Sequence, residues 1–130
     1  MATAVDGDTI TIREAAAATG VPAHTLRYYE RVGLISGVER GPGGERRYAA
    51  ADLEWIAFVK RLRATGMPVR MMVRFAQLRR SGRDTLPDRA QMLDDHADSV
   101  RHRMRELQEH VRAIDAKRER LRQQARQGGT

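Results

Sequence analysis

His24-Thr25-Leu26-Arg27-Tyr28-Tyr29-Glu30-Arg31-Val32-Gly33-Leu34 sets a guanidinium and two phenols in succession on a short helical pattern. Leu26 and Tyr29, three residues apart, share the face expected to be buried, which leaves Thr25, Arg27 and Tyr28 pointing elsewhere. Just upstream, Thr19-Gly20-Val21-Pro22 breaks an earlier helical pattern. Glycine accepts the left-handed conformation that ends one helix, and proline suits the first turn of the next. Two short helices about a tight glycine turn make a helix-turn-helix, whose second helix lies in the DNA major groove. That recognition helix is expected over Pro22–Val32.

Working outward, Thr11-Ile12-Arg13-Glu14 reads as a capping box, in which hydroxyl and carboxylate each satisfy a free backbone N–H of the other residue. An alanine-rich helix follows to about Thr19, and its small side chains allow close approach, so it is assigned as scaffold. After the recognition helix, Gly37, Gly41, Pro42, Gly43 and Gly44 exclude helix and favour a turn. Glu45-Arg46-Arg47-Tyr48 then returns as a brief extended segment, read as the second strand of a wing. Guanidiniums suit phosphates through their two-pronged donor fork and a phenol through its hydroxyl.

Leu53, Ile56, Val59 (or Phe58) and Leu62 recur at helical spacing over residues 52–65, and Gly66 closes that helix. Met67-Pro68 opens another, ending near Ser81-Gly82. Trp55, Phe75, Met67, Met71 and Met72 are assigned to core or interface packing, since aromatic rings and flexible thioethers fill such contacts. A second capping box is expected at Thr85-Leu86-Pro87-Asp88. Beyond it Leu93, Val100, Leu107, Ile114 and Leu121 recur every seventh residue, with Ala97, Met104, Val111 and Arg118 between them. Alternating four-three apolar spacing over several heptads is a coiled-coil pattern, and Leu93, Val100, Met104, Leu107, Val111, Ile114 and Leu121 form its seam. The division expected is residues 10–82 for a DNA-binding domain and 85–125 for the dimerisation helix, mainly α overall.

Lys and Arg number 24 against 17 Asp and Glu in 130 residues, a formal charge of +7 that favours polyanions. The chain has no cysteine, which excludes disulfides, thiolate nucleophiles and cysteine-ligated zinc. Met1–Asp8 is a polar leader without a signal peptide's apolar run, and no stretch has the apolar length of a membrane span, so the expected location is cytoplasmic. His102, Glu106 and His110 are four apart but sit among Asp98, Arg101, Arg105 and Arg112, so a solvated ion-paired face is expected and not a metal site. Gly41–Gly44 lack the Lys-Ser/Thr and helix of a phosphate-cradling loop, and no nucleophile with its base or paired-carboxylate site is present, so neither an enzyme nor a cofactor is expected.

Taken together, Ile12-Arg13-Glu14-Ala15, Thr19-Gly20-Val21, Thr25-Leu26-Arg27-Tyr28-Tyr29-Glu30, Gly33-Leu34-Ile35, Arg46-Arg47-Tyr48 and Asp52-Leu53 resemble the MerR-type transcriptional regulators, from Ile10 to about Leu78. Arg61-Leu62-Arg63-Ala64-Thr65-Gly66-Met67-Pro68 is most similar to that family's aldehyde and nitrosative-stress branch. The resemblance implies a winged helix-turn-helix, two further helices and an antiparallel coiled-coil homodimer. It implies a near-palindromic operator in double-stranded promoter DNA, bent and untwisted so that RNA polymerase engages both promoter elements. Carried over by position, Thr25, Arg27 and Tyr28 contact DNA from the recognition helix, Arg13 assists from the first helix, and Arg46, Arg47 and Tyr48 clamp phosphates from the wing. Where that branch commonly has a cysteine, this chain has Arg61, so thiol sensing is not inherited.

Two other readings stand beside this one. The charge alone fits a non-specific architectural DNA-binding protein, and the coiled coil fits an interaction adaptor whose basic face meets an acidic partner.

Overall fold

The computed structural model describes residues 8–128. The leader read from Met1–Asp8 falls, except for Asp8, outside the described residues. Of the described residues, those up to Met92 form one compact unit and those from Leu93 onward a second.

Helix α1 spans Ile12–Thr19 and is opened by the expected capping box. Thr11 Oγ1 accepts from the Glu14 N–H at 3.1 Å, and Glu14 Oε1 accepts from the Thr11 N–H at 2.9 Å. Gly20 ends the helix in the left-handed region at φ 75°. A side chain there would be strained by that φ, and its Cβ would lie 2.6 Å from Lys60 Nζ. Helix α2 spans Ala23–Arg31, with Pro22 as its N-cap residue. Leu26 and Tyr29 are its buried residues, on the face the spacing predicted.

β1 (Glu39–Arg40) and β2 (Arg46–Arg47) form an antiparallel hairpin in which Glu39 faces Arg47 and Arg40 faces Arg46. A hairpin this short is marginal in isolation. It is extended by a bridge between Ile10 and Tyr48, each donating its N–H to the other's carbonyl at 2.8 Å. Ile10, two residues before the start of α1, is thus paired onto the wing.

Helix α3 spans Ala50–Ala64, two residues earlier than the apolar pattern indicated. Asp52 therefore sits inside its first turn, where its carboxylate accepts from the Ala49 N–H at 2.9 Å. This is half a capping box, because alanine has no side chain to return the bond. Ile56, Val59 and Leu62 are buried, so Val59 and not Phe58 continues the core stripe. Helix α4 spans Val69–Ser81 and buries Met72, Phe75 and Ala76. Trp55 of α3 stacks on Phe75 of α4 with centroids 5.9 Å apart, and Phe58 completes the cluster. Met67 and Met72 are buried as expected, whereas Met71 is 39 % exposed in the single chain.

A short 3₁₀ turn, Arg83–Thr85, leads directly into α5, Leu86–Gly128. The second capping box is not formed, because the Thr85 hydroxyl is committed elsewhere. Thr85 Oγ1 lies 2.6 Å from the Leu78 carbonyl and 2.7 Å from the Gly82 carbonyl, and accepts from Arg89 Nε at 3.1 Å. It therefore tethers the start of α5 to the end of α4.

Helix α5 has 43 residues, about 65 Å at 1.5 Å per residue. None of them is buried in the single chain. Met104, Leu107, Val111, Ile114 and Leu121 are 52–65 % exposed, so this part of the seam is uncovered in the single chain, while Leu93 and Val100 are half-buried. No helix among the described residues is long and apolar enough to cross a membrane.

Leu26 is fully buried and is the main apolar anchor of α2. Leu26→Ala is expected to destabilise residues 8–92 by about 2–5 kcal/mol, read as a lower urea midpoint in the intact chain.

Candidate nucleic-acid interface

Helix α2 is held from both ends. At its start the Thr25 and Leu26 N–H groups fold back onto the Pro22 carbonyl at 3.0 Å. At its end the Leu34 and Ile35 N–H groups donate to the Tyr29 carbonyl at 2.9 and 3.2 Å, which turns the chain sharply and buries both side chains. Trp55 Nε1 donates to the Leu34 carbonyl at 2.9 Å and Arg80 Nη1 to the Gly33 carbonyl at 3.0 Å. Helices α3 and α4 thus fix the exit of the recognition helix. Arg79 lies 4.4 Å from the centroid of the Trp55 ring and covers it.

With Leu26 and Tyr29 turned inward, Arg27 and Tyr28 are exposed and Thr25 is half-exposed. Arg27 has no ion pair or hydrogen bond among the described residues, so its fork is free for a ligand. Tyr28 is 39 % exposed, packs tilted on Tyr29, and lies under Arg31, whose guanidinium carbon is 5.7 Å from the ring centroid. Arg13 on α1 is also exposed and unpaired among the described residues.

The wing residues differ from one another. Arg46 is half-buried and its Nε donates to Glu30 Oε1, while Arg40 Nη2 donates to Glu30 Oε2 at 3.1 Å. Arg47 is turned to the N-terminal segment, donating from Nε to Thr9 Oγ1 and from Nη2 to the Thr9 carbonyl, both at 3.1 Å. Glu14 is nearby and its carboxyl is held below the ordinary value, first by the Thr11 N–H, then by the Thr11 hydroxyl, with a smaller contribution from Arg47.

Tyr48 does not present a hydroxyl to solvent. It is 1 % exposed and its buried Oη has no hydrogen-bond partner among the described residues. Pairing of Tyr48 with Ile10 fixes the strand's alternation and turns the ring to the core, which overturns its assignment as a phosphate clamp in this conformation. Burial raises the phenol above its ordinary value, and the Glu30 carboxylate raises it further.

Two residues not singled out in the sequence join this surface. Lys60 and Arg63 of α3 line, with Pro22, Thr25, Tyr29 and Ala64, a cleft beside the start of α2. Lys60 Nζ donates to the Thr19 carbonyl at 3.0 Å, which holds α3 to the helix-turn-helix corner. Their spacing of three marks one helix face, but only tertiary packing places that face beside Thr25. No group of three or more His, Asp or Glu is placed to hold a metal among the described residues. His102 and Glu106 are a solvated pair 3.6 Å apart, as the spacing indicated.

Residues 10–77 match the MerR HTH regulatory protein family, and residues 53–112 match the family described as MerR, DNA binding. The chain belongs to the MerR family. It is a DNA-binding transcriptional regulator of that family. An uncharacterised HTH-type transcriptional regulator of Haemophilus influenzae is 32% identical over 109 residues, covering 84% of this chain and 81% of the relative. The regulator AdhR of Bacillus subtilis is 39% identical over 84 residues, covering 65% of this chain and 60% of AdhR. The crystal structure of HiNmlR, a MerR family regulator lacking the sensor domain and bound to promoter DNA, superposes with a TM-score of 0.79 at 32% identity, covering 84% of this chain and 86% of that one.

Tyr29 and Tyr48 are both neutral phenols pushed above 10.0 by burial, so their contribution to stability is complete below pH about 10 and is lost as pH rises through the higher folded values. Tyr48→Phe removes a buried, unpartnered hydroxyl and is expected to stabilise the fold by about 1 kcal/mol at neutral pH and to lessen the alkaline loss. Urea unfolding below and above pH about 10 checks both, and a destabilised variant would mean the hydroxyl has a partner.

Proposed function

We infer that this MerR-family regulator acts as a homodimer that binds a near-palindromic promoter operator, bends and untwists it, and so controls access of RNA polymerase. The observation that carries this is the division of α2 into a buried face, Leu26 and Tyr29, and a face on which Arg27 and Tyr28 are exposed and Arg27 is unpaired. Thr25, Arg27 and Tyr28 are the base and backbone readers, assisted by Arg13 from α1. Lys60 and Arg63 supply further phosphate contacts beside Thr25.

Arg46 and Arg47 present the wing to the phosphates while remaining tied to Glu30 and Thr9. Tyr48 serves this role as the buried root of the wing, which departs from the position-by-position carry-over. Distorting a promoter costs of order 1–6 kcal/mol. One recognition helix and one wing offer few contacts against that cost, so two copies are required.

The uncovered seam of α5 supports the second copy. A helix carrying Met104, Leu107, Val111, Ile114 and Leu121 in the open exposes an apolar stripe that a partner helix in knobs-into-holes packing would cover. Antiparallel pairing of residues 85–125 would set two recognition helices at a fixed spacing, matching the symmetry of a palindrome. The relative HiNmlR, described as bound to promoter DNA, supports the same mode here.

Selection of duplexes from a randomised pool, followed by footprinting, tests the reading. A protected palindrome supports it, and equal affinity for selected and scrambled duplexes at one salt concentration favours non-specific binding instead. Arg27→Ala is expected to weaken binding to the selected duplex by about 1–3 kcal/mol and to relax selectivity within the half-site. Leu107→Asp is expected to yield monomers in sedimentation at concentrations where the wild-type chain is dimeric; a dimeric variant would refute the proposed seam.

A further inference from the structure

The recognition helix carries an acid near its end. Glu30 belongs to the helix that approaches a polyanion, where bulk electrostatics disfavours a carboxylate. Its side chain is 21 % exposed and both of its oxygens are engaged. Arg40 donates to Oε2 from β1 and Arg46 donates to Oε1 from β2.

Those two arginines face each other across the hairpin. Like charges directly opposite on paired strands are destabilising, and this hairpin has two residues in each strand to resist the repulsion. A carboxylate shared between the guanidiniums removes the repulsion. Because that carboxylate comes from α2, the same contact fixes the hairpin to the recognition helix. An exposed surface ion pair contributes little, but here one acid joins three elements and is mostly withdrawn from water.

We propose that Glu30 is a positioning residue for DNA binding: it gathers Arg40 and Arg46 and sets the angle between wing and recognition helix, so both meet one duplex as a preorganised surface. The proposal rests on the DNA-binding reading above. It makes a counter-intuitive demand, since deleting a negative charge should weaken binding to DNA.

The test titrates the full wild-type chain and Glu30→Gln against the duplex that the wild-type chain enriches from a randomised pool, and against a scrambled duplex, over a range of salt. If Glu30 were a surface acid and nothing more, Glu30→Gln would bind both duplexes more tightly. The expected result is a roughly tenfold loss on the enriched duplex, with scrambled-duplex affinity unchanged or higher. Hydroxyl-radical footprinting is expected to keep the protection given by the recognition helix and to lose the flanking protection given by the wing.

Unchanged affinity and flanking protection in Glu30→Gln overturn the proposal. Should that variant fail to fold by circular dichroism, Glu30→Asp carries the test, because it keeps the charge and shortens the reach by one methylene. Weakened binding in Glu30→Asp supports positioning, and wild-type binding overturns it. A wild-type chain that enriches no duplex overturns the DNA-binding reading itself, and this proposal with it.

Discussion

A helix of nine residues does not persist in water by itself, and α2 is of that length. Its existence depends on docking Leu26 and Tyr29 into the core formed with α1 and α3. Much else in residues 8–92 supports that docking. The capping box starts α1 where it can pack, Gly20 makes the corner, and Lys60 bonds back to the Thr19 carbonyl. Trp55 and Arg80 then hold the carbonyls of Leu34 and Gly33 at the far end. The surface proposed to read DNA is the remainder of a helix whose other side is fully committed to staying folded.

The features legible in the amino-acid sequence are those whose causes are local. Thr11 and Glu14 are three apart and need only each other, and Gly20 announces its own backbone conformation. Leu26 and Tyr29 follow helical periodicity, as does the long seam of α5. The features that were not legible depend on distant chain. Tyr48 is turned inward by pairing with Ile10, 38 residues separate Thr9 from Arg47, and 16 separate Glu30 from Arg46. Thr85 matched a capping pattern, but a carbonyl seven residues earlier competes for its hydroxyl and wins. Lys60 and Arg63 carry no sequence signal beyond charge on a common helix face, and become part of the surface through packing alone.

The net charge of +7 overstates what is free to meet a polyanion. Arg40, Arg46, Arg47, Arg80 and Arg89 all donate to groups within the protein. They act as crosslinks, each guanidinium donating to a carbonyl, hydroxyl or carboxylate within the protein. Arg13 and Arg27 make no such contacts among the described residues. Composition counts both kinds alike, and the difference between them separates guanidiniums engaged within the fold from those open to a ligand.

The open seam of α5 has a consequence for how the protein would respond to its own abundance. A stripe from Met104 to Leu121 that is more than half exposed in the single chain makes the extended helix costly to maintain alone. When association covers such a stripe, stability follows mass action and rises with protomer concentration. In the proposed dimer, folding of the distal helix, pairing of the two readers and occupancy of a two-fold site become one coupled equilibrium. A cell that lowers the amount of this chain would not merely have fewer regulators; it would have a smaller fraction of them competent to bind.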